Sequence, residues 1–186
     1  MTPRATSFPR PITALSLLCA AALLAACAPM GARYSQAQLP PTVQVPDGHQ
    51  VALQTVGVGK IAYECKAKKD AAGHEWAFVG PDAALNDRNG TQVGTYVGPP
   101  ATWASLDGSK VTATQVAVAP AGAGNIPYQL VKANPAIGNG AMVGVTYIQR
   151  VATSGGVAPG SSCTAETVGA KQWVPYQADY IFWKAA

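Results

Sequence analysis

The stretch Tyr176-Gln177-Ala178-Asp179-Tyr180-Ile181-Phe182 decides the fold. Tyr176, Ala178, Tyr180 and Phe182 recur at every second position, alternating with Gln177, Asp179 and Ile181, which is the period of an extended strand and not of a helix. The same period runs outward through the chain. Ile61, Tyr63 and Cys65 alternate with Ala62, Glu64 and Lys66, and Trp76 and Phe78 alternate with Ala77 and Val79. Between such runs stand Gly73-His74, Asn89-Gly90, Asp107-Gly108, Asn139-Gly140 and Gly155-Gly156, which suit the positive φ of tight hairpin turns. Eight or nine short strands are predicted, near residues 50–56, 60–67, 75–79, 92–97, 101–105, 110–118, 127–132, 141–152 and 174–184. Helical turns are predicted only at 81–86 and 164–168. The class is all-β: a single-domain antiparallel β-sandwich or partly closed β-barrel over residues 43–186, with one or two short helical turns.

Composition narrows the function classes. The 186 residues are 48% hydrophobic and 12% charged, too apolar for a disordered chain. No uninterrupted apolar run reaches the roughly 18 to 20 residues of a spanning helix. Thirteen Lys and Arg against nine Asp and Glu give a net charge of +4, without the clustered basic face that nucleic acid requires. No nucleic-acid partner is expected.

The N-terminus carries the sharpest local signal. Arg4 and Arg10 precede the uncharged stretch 12–26, which ends in Leu24-Ala25-Ala26 before Cys27. A positive n-region, an apolar h-region too short to anchor and small residues at the cleavage point are the anatomy of an export signal. The arrangement resembles a bacterial lipoprotein signal, which implies removal of residues 1–26 and lipidation of Cys27, with palmitate among its acyl chains. Three acyl chains exceed the two-signal threshold for stable anchoring. The membrane is therefore the expected partner, through the anchor alone. Ala28, and not Asp, after Cys27 implies by the same resemblance an outer-membrane lipoprotein facing the periplasm or the cell surface. Residues 28–42, rich in Pro, Gly, Gln, Ser and Ala, read as a flexible tether of about 50 Å when extended.

Once Cys19 leaves with the signal and Cys27 is acylated, Cys65 and Cys163 remain, and two thiols in an oxidising compartment are expected to pair. The bridge would close a loop of about 100 residues, worth up to roughly 4.7 kcal/mol in the chain-entropy account.

Several phrases together carry a family likeness: Tyr63-Glu64-Cys65, WAFVGPDAAL at 76–85, residues 94–111 with Trp103 and Asp107-Gly108-Ser109, VTYIQRVATSGGVAP at 145–159, Val174-Pro175-Tyr176 and Ala178-Asp179-Tyr180. This pattern, over about residues 43–184, resembles the family catalogued as domain of unknown function 3455, found in bacterial exported and fungal secreted proteins. The family has no agreed activity. Where its members often place a His before Gly-Pro-x-Trp, this chain has Thr95, Tyr96 and Val97 ahead of Gly98-Pro99, so no role for that His carries over.

No catalytic or cofactor constellation emerges. The glycines of 138–144 lead into Val145-Thr146-Tyr147-Ile148, a strand and not the helix a dinucleotide site needs. His49 and His74 are too few for zinc, and Asp87-Arg88-Asn89-Gly90 reads as a turn and not a calcium loop. Ser109 and Ser161 have no evident His partner. No metal, cofactor or catalytic residue is assigned. The aromatics are mostly core, with Trp76, Tyr96 and Trp103 as candidate ligand-binding residues for a glycan or a small apolar ligand. The leading reading is a noncatalytic lipid-anchored envelope domain, ligand-binding or structural. The alternative is a cell-wall carbohydrate hydrolase using two carboxylates. Finally, Arg150 and Asp179 sit inside apolar runs; buried charges need partners, so a structural ion pair between them is expected, directly or through Gln149 or Tyr176.

Overall fold

The computed structural model describes Met1 and residues 34–186, of which Tyr34–Ala186 form one compact unit. The lipoprotein signal, Cys27 and the first part of the expected tether lie outside the described residues.

Eight strands close into a barrel in sequence order: β1 (His49–Ala67), β2 (His74–Asn86), β3 (Gln92–Val97), β4 (Thr102–Ser105), β5 (Lys110–Ala119), β6 (Tyr128–Ala133), β7 (Val145–Gly155) and β8 (Lys171–Ala185). Every pairing is antiparallel, and β8 closes on β1. Closure removes the edges a sandwich would expose. The all-β expectation holds, and of its two architectures the barrel is the one adopted. The expected strands at 50–56 and 60–67 are one long strand, which bends at Ala62/Tyr63, where its register with β2 shifts. Residues 81–86, expected as a helical turn, continue β2, with Ala83 opposite Gly59 on one side and Tyr96 on the other. Two ladders override the helix preference of Asp-Ala-Ala-Leu. The second expected turn is present as a 3-10 helix at Ala165–Thr167.

Period two sorts the side chains between two layers. Inward, Ile61, Tyr63, Ala83, Leu85, Tyr96, Trp103, Val111, Val131, Ile148, Tyr176, Ala178, Tyr180 and Phe182 fill the barrel. The lumen is crowded: a Cβ on Gly57 would stand 2.5 Å from Cε2 of Tyr180, so glycine is what admits that ring. Outward, Leu130, Val151, Ile181 and Trp183 would be exposed, but Tyr34, Leu39, Val43 and Val45 pack over them. The tether thus ends earlier than its composition suggests, because residues 34–42 belong to the strap that covers this outer face. Gln149, fully buried, ties the strap down: its Nε2 donates to Val43 O at 2.7 Å and Gln36 Oε1 at 3.0 Å, while its Oε1 accepts from Trp183 Nε1 at 2.9 Å.

The two barrel ends differ. At the end bearing the β4–β5 turn, the chain between β6 and β7 folds over the opening and buries Met142 in the core. Asp107 holds it there, its carboxylate accepting from Ser109 Oγ, Ser109 N and Ala141 N. These hydrogen bonds, the one from the Ser109 hydroxyl foremost, keep Asp107 well below the usual carboxylate range. At the other end, Ile126 covers one side only, fixed by Thr153 Oγ1 donating to its carbonyl at 2.7 Å. With its own closed sheet, core and crosslink, Tyr34–Ala186 has what a domain needs to fold by itself.

Candidate functional site

Beside Ile126 the barrel end stays open, and a cavity of about 220 Å³ enters it. Its wall comes from strand ends and one loop: Phe78 and Pro81 of β2, Tyr96 of β3, Gly98, Pro99 and Ala101 between β3 and β4, Trp103 of β4, Ala113 and Gln115 of β5, Gln129 and Val131 of β6, and Arg150 of β7. Gly80 lets the β3–β4 loop come close, since a Cβ there would strike the Gly98 carbonyl.

Tyr96 and Trp103 lie opposite one another in register and stack with centroids 4.5 Å apart and planes 18° off parallel. Tyr180 leans on both. Burial pushes the Tyr96 hydroxyl up from its ordinary value and the Tyr176 hydroxyl up to about 12, while Tyr180 lies well above. The phenols are therefore neutral at physiological pH. Nε1 of Trp103, a residue only 1% exposed, has no hydrogen-bond partner.

The charge in this lining is Arg150. Its Nε and Nη2 donate to Pro127 O at 3.2 and 3.0 Å. The expected pair with Asp179 does not form. Arg150 stands opposite Tyr180, and Val151 opposite Asp179, so a one-residue offset puts Arg150 on the lumen side of the wall and Asp179 on the outer side. Asp179 instead accepts from Arg88 Nη2 at 2.9 Å, and neither Gln149 nor Tyr176 bridges it to Arg150. The two faces are read correctly by the alternating pattern; what that pattern does not give is which pair of strands turns them opposite ways.

Of the three aromatic candidates, Tyr96 and Trp103 line the cavity and Trp76 does not. Trp76 stands opposite Cys65, and its Nε1 donates to Ser161 O at 2.8 Å, so it fastens the loop that carries Cys163. The Cys65–Cys163 bridge is formed, with Cα atoms 5.5 Å apart. Phe78, Gln115 and Gln129 are lining residues that the sequence does not single out, and Arg150, singled out as half of an ion pair, is a lining residue instead. An alternation count around Arg150 contains a signal, a cation on the same face as Ile148, but nothing in one sequence says that the face borders a cavity. The lining contains no Asp or Glu, and Asp107 is committed at the opposite end.

A closed, up-and-down antiparallel barrel of eight strands with a cavity at one mouth defines the class, one whose interior is either filled by side chains or holds one small ligand. The chain belongs to the family described as protein of unknown function DUF3455, whose pattern matches residues 46–184. No curated protein and no solved structure matches it.

Proposed function

We propose that this chain is a noncatalytic, lipid-anchored protein of the cell envelope, held in the outer membrane by acylated Cys27, whose barrel binds a small aromatic or apolar ligand at its open end. The observation that carries the binding reading is the cavity itself: Phe78, Pro99, Ala101, Ala113 and Val131 offer an apolar wall around Tyr96 and Trp103, with a few polar groups converging on it. About 150 Å³ of apolar cavity holds a benzene ring, so 220 Å³ suits one ring with a substituent. The anchoring reading is supported by the residues before Cys27. Because Tyr34 is already packed on the outer wall, the chain from Cys27 to it spans at most about 25 Å, which would keep the barrel beside the bilayer.

Two experiments test these halves separately. In cells, Cys27→Ala should abolish palmitate labelling of the protein; labelling that survives the substitution would contradict anchoring through Cys27. A one-ring fragment screen by amide NMR on residues 34–186 should move the resonances of Ala101, Ala113 and Val131. Ala113→Phe, which fills the cavity, should abolish those shifts. Shifts that are absent, or that survive Ala113→Phe, would contradict binding at this site.

A further inference from the structure

Resting on the binding reading above, we infer that the ligand is a small carboxylate, a single ring or short apolar body whose anionic end is held by Arg150. The guanidinium has five N–H donors and stays charged at any physiological pH. Nε and Nη2 each spend one on Pro127 O, which leaves the Nη1 pair and the second Nη2 hydrogen. The ion pairs among the described residues are Lys66–Glu64 and Arg88–Asp179, so Arg150 meets no carboxylate of its own chain there. Tyr180 stands opposite it in register, and Tyr63, Tyr96, Tyr176 and Tyr180 are all near enough to feel its positive charge. Burial keeps all four neutral, so none of them compensates it. Arg150 is half-buried at the mouth with its guanidinium in reach of solvent, and an incoming carboxylate would give it a counter-charge with paired N–H···O geometry.

The neighbouring polar groups suit the same occupant. Gln129 Nε2 donates to Gln115 Oε1 at 2.7 Å, which leaves the Gln115 amide hydrogens available to donate. Arg150 and the Gln115 amide thus bring N–H donors to the lining, as suits an acceptor-bearing ligand. A purely structural Arg150, tying down the loop at Pro127, would show no preference for anions.

The test compares benzoate with the isosteric, neutral benzamide on residues 34–186, read by amide and indole NMR shifts. Benzoate should bind about tenfold or more tightly than benzamide, the ratio one charge-assisted hydrogen bond provides, and it should move the Trp103 indole resonance. Added salt should weaken benzoate and leave benzamide unchanged. Arg150→Met, which keeps the aliphatic stem, should bring the two probes within about twofold of each other, and Arg150→Lys should restore part of the preference. Equal binding of both probes to the unaltered domain overturns the carboxylate inference and leaves the binding reading standing. Shifts from neither probe overturn both. The wild-type and salt comparisons need no variant, so a poorly folded Arg150→Met does not blunt the test.

Discussion

Replacing Gln149 by Leu should cost the domain more than most surface or core exchanges of equal volume. Gln149 is fully buried between the barrel wall and the strap, and each end of its amide is used. Leucine fills the same space and leaves two buried polar groups stranded, the indole N–H of Trp183, a residue 7% exposed, and the carbonyl of Val43, 0% exposed, besides freeing the part-buried Tyr34 hydroxyl from its longer 3.4 Å bond. A buried group without a partner costs about 1 to 3 kcal/mol, so the two together give about 2 to 6 kcal/mol. Gln36 is only partly buried and retains its bonds with Val45, so it adds little. Against a total stability of about 5 to 15 kcal/mol, the loss is large. Urea melts of residues 34–186 measure it, with an unchanged slope confirming that compactness is unaltered. The double variant Gln149→Leu/Trp183→Phe removes the stranded N–H along with its partner. It should therefore lose about 1 to 3 kcal/mol less than the sum of the single variants. A loss under about 1 kcal/mol for Gln149→Leu, or strict additivity in the cycle, would refute the strap as described.

Three other outcomes follow from the same structure. Reducing Cys65–Cys163 should add two hydrogens to the intact mass and lower the urea midpoint, by at most about 4.7 kcal/mol of stability; an unchanged midpoint would contradict a stabilising crosslink. Tyr34 and Tyr176 are raised to about 12 and Tyr180 further, all chiefly by burial, so their contribution is complete below pH 10 and lost as pH rises towards 12 and beyond. Phenolate absorbance from these rings should therefore appear together with alkaline unfolding, and their ionisation in a still-folded domain below pH 10 would contradict the burial. Gly57→Ala places a methyl against Tyr180 and should cost about 1 to 3 kcal/mol by overpacking, which a shift in urea midpoint checks; a neutral substitution would mean the lumen has slack at that ring.

The strands were legible because each face has one environment. Tyr176, Ala178, Tyr180 and Phe182 all look into the lumen, and the Asn-Gly and Asp-Gly turns fall where Gly90 and Gly108 take φ of 85° and 91°. Residues 81–86 misled because Pro, Asp and Ala suit the first turn of a helix, whereas pairing with both β1 and β3 is a tertiary fact. Closure was hidden for the same reason: the β1–β8 ladder joins residues at the two ends of the domain, and a sandwich is made of the same strands. The strap shows the limit of composition, since Tyr34 and Leu39 are two apolar residues in a polar stretch, and only the outer face of Ile181 and Trp183 gives them a place. Tyr96 and Trp103 are legible in the sequence as large aromatics, but the partner of Arg150 is not, because register, and not alternation, decides which charges meet.

The most direct test of the central claim is a crystal structure of residues 34–186 grown with benzoate. The account predicts the ring seated between Phe78, Pro99 and Ala113, with its carboxylate within about 3 Å of the Arg150 guanidinium. A mouth closed by its own side chains, or a ligand bound with its carboxylate turned away from Arg150, would contradict it.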